Sequence, residues 1–336
     1  MTIVLCRGAF TENFHNRYSH TDLNYSQNPR NTETMDIIIN YLMIPQLQTA
    51  GAIIFLLALA LLLGSSLLAF VSEIKHSSSP KSNLPTMSHN ITRSTWLGVV
   101  LFSLLGGTTV FLPLYLTLMN STPLLITGLS SSLALIFFLL YHFTAKIIKL
   151  KFIHAPLALF AAGCALGAAI FWYLPHTCAA WFAAKSHLST TEDILFWWLG
   201  RNEVACFLHF ILNAVGVAAL FFLLANAREK ENKRKQSREY YFQAAGYAGR
   251  WLLTSVTLQI LPLGWIFYNL AVANPGMLFT TPKVYWFAGI LSTALLGWLL
   301  LIKITKDGLV NRRATMIIAL FFIISLNLFH FGPLRL

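Results

Sequence analysis

Residues 196–227 read FWWLGRNEVACFLHFILNAVGVAALFFLLANA, and after Arg201 and Glu203 no charged side chain occurs until Arg228. A helix needs about 20 apolar residues to cross a hydrocarbon core of roughly 30 Å. A membrane strand needs only about half that length, and lipid offers no partner to an open backbone, so this run reads as a transmembrane helix. Seven further stretches read the same way. Span one lies within residues 47–72, and the uncharged distance from Arg93 to Lys146 holds spans two and three, broken at Asn120-Ser121-Thr122-Pro123. Span four runs from near His154 to near Pro175, span five from about Ile194 to Ala227 and span six from about Tyr241 to Leu270, while spans seven and eight follow Lys283 and Arg313.

Composition agrees with this reading. Of 336 residues, 56% are hydrophobic and 11% charged, with a mean hydropathy of +0.63. Soluble domains carry about 25% charged residues, so an ordinary soluble domain is excluded. The 24 Lys and Arg against 12 Asp and Glu give a formal charge of +12, which in a membrane protein reports topology. Lys75, Lys81 and Arg93 follow span one; Lys146, Lys149 and Lys151 follow span three; Arg228 to Arg238 follow span five; Lys303, Lys306, Arg312 and Arg313 follow span seven. Basic short loops stay in the cytoplasm, which predicts an all-α integral membrane bundle of about eight transmembrane helices with both termini outside, as in the inner (cytoplasmic) membrane of a prokaryote. The 227–239 stretch AREKENKRKQSRE also carries Glu229, Glu231 and Glu239 and sits where topology demands cations, so it is read as a topology signal facing lipid, not as a nucleic-acid site.

Residues 1–46 form a polar N-terminal tail and interfacial entry segment, and residues 47–336 the transmembrane domain. The first 34 residues lack the basic and apolar regions of a signal peptide and read as an exposed tail or an over-extended start before Met35. Cys6, Cys164, Cys178 and Cys206 are far apart with no CxxC, which excludes a thiolate zinc site, the usual covalent haem motif and a disulfide framework. No Walker loop, GxGxxG or HExxH occurs, which removes ATPase and zinc-protease chemistry.

Ionisable residues at membrane depth are costly and are site candidates by default. Span five is the richest: at about 100° per residue, Asn202, His209, Asn213 and Gly216 share a face. An imidazole can supply an axial nitrogen to haem, a glycine lets a flat macrocycle approach, and nearby amides can hydrogen-bond. The competing reading is a histidine bonded to a neighbouring helix. Arg201 and Glu203, near the outer interface, suit a haem propionate or quinone headgroup, or simply cap the helix entry. His330 in LFHFGPLRL and His176 in WYLPHTCAAW fall on the same side as His209 and are candidate second ligands, His330 first. His142 and His154 read as interfacial, and His76 and His89 as loop residues.

The order of spans and several short segments resemble subunit I of the cytochrome bd quinol oxidases from Met35 to the C-terminus. LGGTTVFLPLYL (105–116) is similar to the family's GxxTGxxxxFxFG stretch, and TPLLITGLSSSLALIFFLLYHF (122–143) to its APLxxEGLxxFFLExxFxGLxxFGW helix. In both, a basic loop and a small-residue span follow, here APLALFAAGCALGAAIFWYLP (155–175). Span five resembles the helix with KFxHxxxxxxxxG, which places His209 on the histidine that binds low-spin haem b. The departures matter equally. The high-spin haem histidine falls near Leu56, the two helix-three glutamates near Thr127 and Leu135, and WFAGILSTALLG (286–297) has no methionine for the low-spin iron. The long quinol loop is replaced by NLAVANPGMLFTTPK (269–283), and the chain ends in FGPLRL. The resemblance thus implies a reduced membrane cytochrome b subunit, with one haem b on His209 and His330, passing electrons between the quinone pool and a c-type cytochrome or iron-sulfur protein on the outer face. It does not imply an oxygen reductase. A haem-free quinone-binding or structural anchor subunit is the alternative, using Arg201, Asn202 and Glu203 as a polar pocket.

Overall fold

The structure is a computed structural model that describes residues 45–78, 84–116, 122–144, 151–174, 202–231 and 238–273, together with 289, 292, 295–303 and 316–318. The main elements are α1 (Pro45–Ser78), α2 (Leu84–Leu116), α3 (Thr122–Thr144), α4 (Lys151–Tyr173), α5 (Asn202–Glu231), α6 (Arg238–Leu258) and α7 (Ile260–Ala273). Among the described residues there is no strand. Five segments are long and apolar enough to cross a membrane: Ala50–Lys75, Pro123–Thr144, Ile153–Tyr173, Asn202–Ala227 and Tyr240–Asn269. At 1.5 Å per residue, 26 residues of α1 extend about 39 Å. This is the architecture of a multi-pass helical membrane protein.

Small residues set the packing. Lipid tails compete with leucine for leucine, so helices in a membrane associate where backbones can approach closely. The α1 helix is central, packed by α2, α4 and α5. Gly64 of α1 lies so close to Ala214 and Ala218 of α5 that a Cβ there would enter the Ala214 carbonyl, and Gly106 of α2 meets the backbone of Phe55 and Gly51 in the same way. Alanines fill other contacts, including Ala161, Ala165, Ala168 and Ala169 of α4, all fully or almost fully buried. On α3, Leu125, Leu129, Leu133, Ile136 and Leu140 recur at helical spacing and are all exposed among the described residues, an apolar stripe along one side of the helix.

Contacts fix helix directions. Ser88 and Gly106 of α2 meet Glu73 and Phe55 of α1, so these two helices are antiparallel. Tyr247 of α6 donates to the Leu68 carbonyl at 2.9 Å, and Gln259 meets Asn213 of α5. The starts of α2 and α6 and the ends of α1 and α3 therefore gather at one end of the bundle, and the start of α5 with α7 at the other.

Several expected boundaries shift. The α2 helix starts at Leu84, well before Arg93, because His89, Asn90 and Thr92 turn towards other helices and need no loop; the loop readings of His89 and of His76, inside α1, are corrected. Span six is α6 and α7 joined at Gln259. The start expected for span five, 194–201, lies outside the described residues, as do residues 1–44 and most of spans seven and eight.

Candidate functional site

His209 lies one turn before Asn213 on α5, and the predicted shared face brings them together: the Asn213 Nδ2 is 2.9 Å from His209 Nε2. An amide nitrogen can only donate, so Nε2 accepts in this arrangement. The Asn213 Oδ1 in turn accepts from Gln259 Nε2 at 2.6 Å. The result is a His–Asn–Gln chain from α5 to the α6–α7 junction.

Why Gln259 is there follows from Pro262. Proline has no N–H for the Leu258 carbonyl and its ring crowds that oxygen, so the helix breaks one turn earlier. Flanking bonds survive, from Gln259 N–H to Ser255 O at 3.1 Å and from Leu263 N–H to Gln259 O at 3.2 Å. The break thus occurs at a residue whose side chain already has a partner on α5. Two further contacts close the interface: Ser255 Oγ donates to the Leu212 carbonyl, and Asn269 Nδ2 donates to Asn202 Oδ1 at 2.9 Å.

Both amides can rotate end for end. In that state Asn213 Nδ2 donates to Gln259, and Nε2–H of His209 donates to Asn213. The chain therefore runs in either direction, and the direction is set by whether Nε2 carries a proton.

Gly216 does not leave the open face that a macrocycle would use. A Cβ there would lie 2.7 Å from Ser255 Oγ, so the space is filled by α6. Glu203 is partly buried in the first turn of α5, where a carboxylate suits the positive end of the helix dipole. Arg201, His176 and His330 lie outside the described residues. Of the predicted set, the structure joins His209 to Asn213. Among the described residues, no three His, Cys, Asp or Glu side chains gather as a metal site. Leu56 and Leu135 pack against the core, and Thr127 donates to the Pro123 carbonyl at 2.8 Å.

Gln259, Ser255 and Asn269 were missed from the sequence. The signal for Gln259 was an amide three residues before a proline inside an apolar run. His142 and His154, expected at the membrane interface, lie near the end of α3 and the start of α4 and are 8% and 4% exposed: one stacks on aromatic rings, and Nε2 of the other lies 2.9 Å from the Thr144 carbonyl.

No protein-family model, curated protein or solved structure matches this chain.

Proposed function

We propose that this chain is the membrane subunit of a redox complex that exchanges electrons with the quinone pool, with the His209–Asn213–Gln259 chain as its headgroup site. The observation that carries the reading is the hydrogen-bonded chain itself, built of two amides that can rotate and an imidazole that can hold its proton on either nitrogen. A quinone carbonyl accepts a hydrogen bond and a quinol hydroxyl donates one, so a site serving both must reverse its polarity. Uncharged amides and an imidazole do so at membrane depth without the desolvation cost of an ion. Oxidising one quinol releases two protons and two electrons. His209 takes one hydroxyl proton at Nε2, the second proton leaves to water at the outer face, and the two electrons leave one after the other to a one-electron partner, a c-type cytochrome or iron-sulfur protein docked on the outer face. The proposal includes about eight spans, both termini outside, in a prokaryotic inner membrane.

Haem b on His209 is the second form of the reading, supported by the imidazole and by the family resemblance. Like the proton transfer to Nε2 in the first form, it requires Asn213 to release Nε2. The residues assigned to the other axial position, His330 and His176, lie outside the described residues.

The test is a reduced-minus-oxidised spectrum and pyridine haemochrome assay on the purified protein, with titration of a short-chain quinone, for wild type, His209→Ala and Asn213→Leu. Colourless wild type that binds the quinone, with affinity reduced about tenfold in Asn213→Leu, supports the first form; tenfold corresponds to about 1.4 kcal/mol. A b-type signal lost in His209→Ala supports the second. Wild type with neither colour nor quinone binding overturns both.

A further inference from the structure

One side of α6 packs into the bundle through small and apolar residues: Ala244, Ala245, Ala248, Leu252 and Ser255 are all buried. The opposite side carries a charge. At about 100° per residue, Gly246, Arg250, Thr254 and Thr257 share that side, and Arg250, Thr254 and Thr257 are exposed among the described residues. Arg250 lies ten residues into the apolar segment Tyr240–Asn269, about 15 Å along the helix axis. A cation at membrane depth is costly unless a counter-charge or water accompanies it. Helical side chains lean towards the start of their helix, so Arg250 runs over Gly246, where a Cβ would meet nothing within 4 Å. The glycine leaves an open trough under the guanidinium stem.

A second cation comes from span seven. Trp298 Nε1 donates to Thr257 Oγ1 at 3.0 Å, and Leu301 is fully buried in one cluster with Ala244, Ala245, Ala248 and Leu252. All four precede Thr257, so residues 298–303 descend α6 from Thr257 towards its start. Lys303 lies five residues, about 7.5 Å, past Trp298, and Arg250 seven residues, about 10.5 Å, before Thr257. The two cations therefore stand at nearly the same height, and Lys303 is exposed as well. The carboxylates among the described side chains are engaged elsewhere. Glu73 Oε1 of α1 accepts from Ser88 Oγ of α2 at 2.7 Å and from the Tyr141 hydroxyl of α3 at 2.9 Å, and Glu203 stands in the first turn of α5, at the other end of the bundle.

We propose that Arg250 and Lys303 together hold the phosphate of one anionic phospholipid, seated in the trough over Gly246 on the outer side of α6. The phosphate supplies the counter-charge that two neighbouring cations need. The guanidinium offers parallel N–H donors to its oxygens, and the ammonium acts as a point charge beside it. The acyl chains run on along exposed Leu258 and Leu261 towards the Pro262 break. The basic stretch 227–239 leads into the start of α6, and its charge draws anionic headgroups to that surface.

This site is independent of the redox reading. The test is native mass spectrometry of the full chain, delipidated in detergent and titrated with phosphatidylglycerol or phosphatidylcholine, for wild type, R250Q, K303Q, R250Q/K303Q and G246L. R93Q removes an exposed arginine of α2 and serves as the control. Wild type should bind one phosphatidylglycerol about tenfold or more tighter than phosphatidylcholine, and each lost cation should weaken it about fivefold. G246L keeps both cations but fills the trough, so it should weaken phosphatidylglycerol too, whereas R93Q should not. Excess inorganic phosphate should leave the lipid bound. Equal wild-type affinity for the two lipids overturns the proposal without any variant. So does phosphatidylglycerol binding unchanged in R250Q/K303Q, the result expected if Asp307 or another carboxylate of the chain already neutralises the pair. Release of the lipid by inorganic phosphate also overturns it, since the site would then serve free phosphate.

Discussion

The two ends of the bundle solve the same problem with different chemistry. Around His209, polarity is carried by neutral amides that bond along α5 and across to the Pro262 break. Around Glu73, it is carried by a carboxylate, stacked histidines and buried tyrosines that tie α1, α2, α3 and α6 together. An amide can satisfy itself against one neighbour at modest cost, whereas a carboxylate needs several donors, and only a junction of helices supplies them. The difference teaches that the buried carboxylate stands where several helices converge, whereas the amides stand at the single interface of α5 with α6 and α7.

The largest effect is expected in the middle that both ends share. In Gly64→Val the new side chain meets the backbone of α5, which cannot turn aside as a side chain can, so a loss of about 3 kcal/mol or more is expected. Size-exclusion profiles and thermal unfolding in detergent would check it; a well-folded variant of normal stability would show that the ends are not coupled through α1. Next is the carboxylate end. Glu73→Leu leaves the Ser88 and Tyr141 hydroxyls without their acceptor and should lose about 2 kcal/mol, with Glu73→Gln losing less because one carbonyl oxygen remains. If unfolding midpoints of the two variants coincide, the charge rather than the acceptor is what matters. The amide end should be softer. Asn213→Leu and Gln259→Leu are each expected to cost about 1 kcal/mol, with a double-mutant coupling of about 0.6 kcal/mol, typical of hydrogen bonds between membrane helices. A coupling as large as the Glu73 effect would erase the contrast between the ends.

Much of the architecture was legible because lipid makes hydrophobic length and charge spacing decisive. The start of a helix at Thr122, the shared face of His209 and Asn213 and the long apolar runs follow from signals within one chain segment. What sequence spacing did not carry was partnership between segments. His89 and His142 are 53 residues apart and become a pair only when α2 packs beside α3. Gln259 has no same-helix logic and gains its role from an Asn213 that lies 46 residues earlier. Polar residues near helix starts read as loops because their partners on other helices are invisible in one dimension; this is how α2 came to begin earlier than its charges suggest.

The smallest effect tests how adjustable the amide end is, and its sign should reverse with background. Gly216→Ala brings a Cβ to 2.7 Å from Ser255 Oγ, but only 3.5 Å from Ser255 Cβ. The hydroxyl must rotate away and give up its bond to the Leu212 carbonyl, so the substitution alone should lose about 0.5–1 kcal/mol. Ser255→Ala alone should cost only about 0.5 kcal/mol, because the Leu212 carbonyl keeps its bond within α5. With the hydroxyl gone, the methyl group introduced by Gly216→Ala makes an ordinary van der Waals contact, and the helix gains the preference of alanine over glycine, up to about 1 kcal/mol. Adding Gly216→Ala to Ser255→Ala should therefore raise the unfolding midpoint, although adding it to wild type lowers it. If Gly216→Ala lowers the midpoint in both backgrounds, the glycine is needed for backbone approach rather than for the serine. The α5–α6 interface would then be as rigid as the contact at Gly64.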